Sequence, residues 1–342
     1  MSRQLAWDVI NLRPTERLAH TEYCSNSKLI EALRRRSGQA ERCDNDLLNM
    51  DLFWVTDDGP VAWGKRGRVT DMGHAEFMEG GVDFRAPKPS PFSTIEDVWA
   101  FDAVREYGLP DFQTLVAYYR ALHEKHEREF PNQLAPGGYY KTLVSGAIES
   151  FGWDMLLLAA SEPDAFEKVL DSFFRLTLHH VKAWAETGIH VYISHDDMVW
   201  SEGAFLHPDF YRRVIFPRYR ELWAVLKARG IKVLFCSDAN YLEFLDDIAE
   251  AGADGFIFEP MMPLDTVVER YGRTHVIVGS KVDCRTLTSG TPDRIRAEVD
   301  ATLELARSCP GFIVAVGNHI PSNVPVENGL FYLDYLTTHW NR

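Results

Sequence analysis

Apolar residues in the second half of the chain fall into short runs separated by amphipathic stretches. The run Lys232-Val-Leu-Phe-Cys-Ser-Asp-Ala-Asn240 is strand-like and ends in polar residues. Beyond it apolar positions recur at three and four residues, and Gly255-Phe-Ile-Phe-Glu-Pro260 then returns to a strand pattern. The phrase repeats downstream at His275-Val-Ile-Val-Gly279 and Phe312-Ile-Val-Ala-Val316. Upstream it reads Gly188-Ile-His-Val-Tyr-Ile-Ser-His-Asp-Asp197, before a helix that begins near His207-Pro208. Short apolar strands alternating with helices predict parallel strands covered by helices, an α/β fold of the (β/α)8 TIM-barrel type. Closure of such a barrel asks for two more strands, near Leu52-Phe-Trp-Val55 and Tyr139-Tyr-Lys-Thr-Leu-Val144. Polar residues gather at the carboxyl ends of the runs, where folds of this kind place their chemistry.

No linker, low-complexity tract or charge block divides the 342 residues, so the reading is one domain over 1–342. Within it, 1–90 is an N-terminal extension with the first strand, and 91–342 is the remainder of the barrel. The extension, which packs on the barrel and helps to close its mouth, carries a polar helical stretch at Cys24 to Arg36, a strand-like Leu47 to Val55, and a Pro/Gly-rich loop over 57–91.

Composition narrows the classes. The chain is 46% hydrophobic and 25% charged, with no apolar run long enough to span a bilayer and no signal-peptide pattern, which predicts a cytoplasmic globular protein with no membrane partner. Five widely spaced cysteines without a CxxC argue against a disulfide framework. A net charge of -14 argues against a nucleic-acid partner, and the one compact basic run, Arg34-Arg35-Arg36, reads as a solvated helix end.

Chemistry is therefore sought at the strand ends. Period-two geometry puts Cys236 and Asp238 on one side of their strand, as half of a metal site or a catalytic pair, or as a buried filler followed by a helix cap. His195 and Asp197 fall on one side of theirs and Asp196 on the other; carboxylates and an imidazole this close perturb one another, as acid–base work requires. Glu259 closes a third strand as a ligand, a hydrogen-bond acceptor or a loop anchor. His319, in Gly317-Asn-His-Ile-Pro321, follows the last clear strand.

These residues resemble the uroporphyrinogen decarboxylase superfamily, which also contains cobalamin-dependent methyltransferases. The resemblance is carried by Ser194-His-Asp-Asp197 running through His207-Pro208 to Pro217-Arg-Tyr219, and by Phe235-Cys-Ser-Asp-Ala-Asn240 and Glu250-Ala-Gly-Ala-Asp254. Val282-Asp-Cys-Arg-Thr-Leu-Thr-Ser-Gly-Thr-Pro292, Gly317-Asn-His-Ile-Pro-Ser-Asn-Val-Pro-Val-Glu-Asn328 and the opening Leu12-Arg-Pro-Thr-Glu-Arg17 complete it. Porphyrinogen decarboxylases follow the opening with an arginine-rich stretch that grips the substrate carboxylates. Here that stretch is Leu18-Ala-His-Thr-Glu-Tyr-Cys-Ser-Asn26, without arginine, and a polyanionic tetrapyrrole would meet unpaired charge there.

The resemblance is closest in pattern to the corrinoid-dependent methyltransferase branch. Zinc-dependent members present a His-x-Cys at a strand end and a Cys in a Gly-Cys loop; here the pair is Cys236-x-Asp238 and the loop is Gly317-Asn318-His319. It implies a methyltransferase or demethylase that moves a methyl group between a small O-, N- or S-methylated molecule or thiol and a corrinoid carried by a separate protein. Zinc would be held by Cys236, Asp238 and His319, with Asp197, His195 and Asp196 as catalytic groups. Tyr140, Trp200 and Glu259 would contact substrate. Two other readings stay open: a metal-free decarboxylase or lyase acting on a small carboxylate, with Asp197 moving the proton, and a non-catalytic barrel that binds a ligand or partner.

Overall fold

The computed structural model describes residues 1–39, 41–54, 57–61 and 89–342, so most of the Pro/Gly-rich loop expected over 57–91 lies outside the described residues, as does Val55. The strands are β1 (Ala19–His20), β2 (Gly137–Tyr139), β3 (Val191–His195), β4 (Lys232–Cys236), β5 (Gly255–Ile257), β6 (Val276–Gly279) and β7 (Phe312–Val314). They form one seven-stranded sheet in the order β1-β7-β6-β5-β4-β3-β2, and every pair is parallel. Helices follow the strands and cover the outer face, as the alternating pattern predicts.

A short bridge stands where the eighth strand is expected. Leu52 pairs in parallel with Leu134. The Asp51 N–H donates to His20 O at 2.8 Å, and the Phe53 N–H to Leu134 O at 2.9 Å. This segment therefore links the β1 and β2 edges of the curled sheet and completes a TIM-barrel-like ring. Arg17 holds it in place with a bidentate pair to buried Asp51, at 2.7 and 2.8 Å, and its guanidinium lies 4.1 Å from the Trp340 ring. The strand expected over 139–144 lies earlier, at Gly137–Tyr139, and Leu143–Phe151 is a helix. A short apolar run does not distinguish the two, and here carboxylate capture of the helix amides decides.

Strand alternation sorts the core. Val191, Ile193, Leu234, Cys236, Ile257, Val276, Val278 and Ile313 pack with Ala19, Leu52 and Leu134 inside the ring. Their neighbours Tyr192, Val233, Phe235, Phe256, Ile277 and Phe312 pack outward against the helices. The helix Arg3–Ile10, which the hydrophobic pattern does not announce, adds Ala6, Val9 and Ile10 to the interior cluster. Its Trp7 ring sits 5.3 Å from His190, the residue before β3, so this helix plugs the amino ends of the strands. The carboxyl ends are left as the open side.

Surface features are ordinary. Arg34, Arg35 and Arg36 end the helix Ser27–Ser37 and pair with Asp44, Glu31 and Asp334. Among the described residues no helix is long and apolar enough to cross a membrane.

Candidate active site

Inward alternation continues past the strand ends: His195 and then Asp197 on β3, Cys236 and then Asp238 on β4, Ile257 and then Glu259 on β5. His195, Cys236, Asp238 and Glu259 line a cavity of about 240 Å³ at the carboxyl ends, with Tyr23, Trp54, Asp57, Asp58, Tyr140, Phe258 and Asn318 among the other walls. Cys236 and Asp238 thus face one pocket, as their spacing requires.

The adjacent carboxylates Asp196 and Asp197 do different things, because consecutive residues at a strand end point to opposite sides. Asp197 points inward and is buried. Its Oδ1 accepts the Asp238 N–H at 2.9 Å and meets His195 Nε2 at 3.2 Å, while Oδ2 accepts the Tyr140 hydroxyl at 3.2 Å. Burial alone would raise its pKa, but the imidazole and these donors outweigh burial and hold the carboxyl below its usual range. Asp196 points outward. It accepts the Val144 N–H at 2.9 Å, the Ser145 N–H at 2.6 Å, and the hydroxyls of Thr142 at 3.0 Å and Tyr219 at 2.7 Å. Asp196 is therefore the cap of the Leu143–Phe151 helix, in place of the Thr142 side chain, and not a group that reaches substrate. Ser145 links the two residues, since its N–H donates to the Asp196 carboxylate and its Oγ accepts the Asp197 backbone N–H, each at 2.6 Å.

Protonation follows from burial and partners. Burial disfavours the imidazolium form of His195, yet the Cys236 sulfur and the Asp197 carboxylate outweigh it and keep the ring protonated well above the usual histidine range. Burial pushes the Cys236 thiol up, with His195 opposing. It also raises Glu259, although the Ala239 N–H reaches Oε2 at 2.8 Å. The walls thus present the protonated His195 ring and Glu259, whose pKa burial raises, with the anionic Asp197 buried behind His195. Tyr140, whose hydroxyl burial keeps neutral, packs its ring 4.7 Å from His195.

Three sequence-based assignments change. Among the described residues, the side chains that converge as metal donors are His195, Asp197 and Asp238, with ligand atoms all within 4.8 Å of one another. Cys236 and His319 are not members, so the set Cys236, Asp238, His319 is not assembled. His319 is buried, hydrogen-bonded through Nδ1 to Asn318 Oδ1 and packed 5.7 Å from the Tyr23 ring, and the loop offers Asn318 to the cavity in its place. Trp200 is 47% exposed and stacks beside Trp153 outside the cavity, on a loop that the antiparallel bridge Trp200–Gly203 turns away. Tyr140 and Glu259 do line the cavity.

Sequence reasoning missed Asn318, Ser145 and Tyr23. Asn318 donates from Nδ2 to Asp238 Oδ2 at 3.1 Å. It and Ala239 hold left-handed backbone, φ 67° and 69°, strained conformations that cluster where a site demands them. Its neighbour Gly317 was a visible signal for a tight loop; the seryl contact of Ser145, made across a helix terminus, had none. Glu22, within the arginine-free stretch Leu18–Asn26, is a buried anchor. It accepts from Tyr332 at 2.7 Å and from the Val316 N–H at 3.1 Å, and meets His20 at 2.9 Å.

Comparison with known proteins identifies the family. Residues 81–339 match the family model described as uroporphyrinogen decarboxylase (URO-D), and the chain belongs to that family. A uroporphyrinogen decarboxylase of Syntrophotalea carbinolica is 28% identical over 203 residues, 58% of this chain and 57% of the relative. One of Burkholderia thailandensis is 24% identical over 281 residues, covering 77% of this chain and 74% of the relative. The chain spans little more than half the length of the first two curated relatives it matches, 57% and 54%. A solved methyltransferase from Methanosarcina mazei superimposes with a TM-score of 0.62 at 17% identity, over 98% of this chain and 97% of that one, and shares the fold.

Proposed function

Within the uroporphyrinogen decarboxylase family, we propose that this chain is an enzyme that transfers a methyl group between a small methylated molecule or thiol and a corrinoid carried by a separate protein. The observation that carries the reading is the cavity. It is about 240 Å³, walled by Tyr23, Trp54, Tyr140 and Phe258, and lined among the described residues by four carboxylates and no lysine or arginine. The stretch Leu18–Asn26 contributes Tyr23 there and supplies no cation. A small substrate suits such a space, whereas a tetrapyrrole with many carboxylates would be large for it and repelled.

The chain's own residues have distinct parts. Asp197, ionised and held by three donors, is a fixed charge that orients a substrate through electrostatics. His195, protonated beside the cavity, can give its proton to the heteroatom from which a methyl group departs; in the reverse direction its neutral form takes the proton from the attacking thiol. The aromatic walls exclude water from the methyl carbon. A docked corrinoid would supply the methyl acceptor or donor. The thiolate zinc set implied by the resemblance does not fit, because Cys236 and His319 do not converge with Asp238 and Asn318 directs an N–H at Asp238.

A second reading is favoured by the names of the curated relatives: decarboxylation of a small carboxylate, with Asp197 or His195 moving the proton and Cys236 inert. Incubation of the purified chain with cob(I)alamin and a panel of O-, N- and S-methyl donors separates the two. Methyl transfer is expected, seen as loss of the cob(I)alamin spectrum; carbon dioxide release from small carboxylates, without transfer, would favour the second.

A further inference from the structure

We infer that this chain binds a first-row divalent cation through His195, Asp197 and Asp238, in a site that contains no thiolate ligand. The inference concerns the same cavity but does not depend on the reaction carried out there. The donor atoms of the three side chains lie within 4.8 Å of one another. Donors 2.0–2.2 Å from a shared tetrahedral ion stand about 3.3–3.6 Å apart, so the side chains need close by no more than about 1.5 Å to share one.

Two independent features mark the cluster as built for a ligand. His195 is 7% exposed and lines the cavity, and its Nε2, 3.2 Å from Asp197 Oδ1, is the nitrogen placed to share an ion with the two carboxylates. Each carboxylate also has the outer support that orients metal ligands: Asn318 Nδ2 on Asp238 at 3.1 Å, and the Tyr140 hydroxyl at 3.2 Å and Asp238 N–H at 2.9 Å on Asp197. Ser145 fixes the Asp197 backbone from behind.

Ligand type selects the ion. One imidazole with two carboxylates suits manganese, iron or zinc rather than a soft thiophilic ion. Three protein donors leave coordination positions open toward the cavity, as catalytic rather than structural sites do, and a hard set favours an oxygen- or nitrogen-bearing co-ligand over a thiol.

The test is metal binding by the full chain after chelator treatment, with Mn²⁺ followed by electron paramagnetic resonance and Zn²⁺ by calorimetry. One ion per chain is expected, with affinity reduced about 10²-fold or more in His195→Gln and in Asp238→Asn. Cys236→Ser and His319→Gln should stay within about threefold of the parent, because neither side chain is a ligand. Near-UV circular dichroism of every variant identifies those that fold, and either His195→Gln or Asp238→Asn alone decides if the other does not. Loss of affinity in Cys236→Ser or His319→Gln equal to that in Asp238→Asn would overturn the assignment. So would a parent chain that binds neither ion more tightly than His195→Gln.

Discussion

Asp197 Oδ1 accepts the backbone N–H of Asp238 at 2.9 Å, so the carboxylate that follows β3 fixes the chain where β4 ends. The charge of one residue thereby sets the direction of the other's side chain. Asp197→Asn keeps the size but removes the charge and turns an amide toward donors. The expected result is a loss of about 10² to 10⁴ in the rate of methyl transfer, with a native circular dichroism spectrum and a stability loss of about 1–3 kcal/mol. Near-normal activity with a stability loss well beyond that range would assign Asp197 to structure, and His195→Ala should then abolish the rate where Asp197→Asn did not.

Asp196 predicts the opposite pattern. Its carboxylate is fully buried and satisfies two helix amides and two hydroxyls, from Thr142 and Tyr219. Asp196→Ala leaves those donors buried without acceptors and should cost about 3–5 kcal/mol in urea denaturation. Activity per folded molecule should fall far less than in Asp197→Asn; an equal fall in both, at unchanged stability, would return Asp196 to the catalytic group.

Much of this was legible because strand alternation is a strict geometric rule. Lys232–Cys236 and Val191–His195 are strands whose inward positions extend in register to Asp238 and Asp197, and two-residue spacing sufficed to place both at one mouth. What escaped was set by contacts between distant segments. The helix at Leu143–Phe151 forms where a strand pattern also fitted, because Asp196, some fifty residues away, captures its amides. His319 looked like a ligand by type, but the left-handed backbone at Asn318 rotates the loop and presents the amide instead. Trp200 had the composition of a binding wall, and only tertiary packing on Trp153 shows otherwise.

Gly317 tests how tightly that loop is fitted. A Cβ there would lie 1.9 Å from Pro260 Cδ, with the Pro260 ring fixed between Glu259 and the following turn. Gly317→Ala must displace Pro260, Asn318 or both, at an overpacking cost of about 1–3 kcal/mol. Both neighbours carry cavity residues, so metal affinity should fall with the melting temperature. Full stability in thermal denaturation would show that the loop yields without strain.

His180 gives a pH signature separate from the cavity. It is buried, stacked on Tyr139 with centroids 4.1 Å apart and planes 9° from parallel, and its Nδ1 lies 2.6 Å from the Tyr119 hydroxyl. Desolvation by burial lowers its pKa from 6.5 to about 3, with His179 and Lys141 adding to the same direction. The folded chain therefore keeps this ring neutral over a range in which the unfolded chain protonates it. More protons bind the unfolded state between pH 6.5 and about 3, so stability falls as pH is lowered through that window. The contribution to the slope should approach about 1.4 kcal/mol per pH unit below pH 6 and vanish above pH 7.5. Other histidines, the buried His123 and His126 and the half-buried His275, shift in the same direction, so the measurement is a difference between the parent and His180→Gln. Urea denaturation of both from pH 5 to 8 should give curves that run parallel above pH 7.5 and converge toward pH 5, as the parent loses stability that the variant has already lost. Curves that stay parallel throughout would mean that His180 takes up a proton in the folded state and that its stack on Tyr139 opens to water.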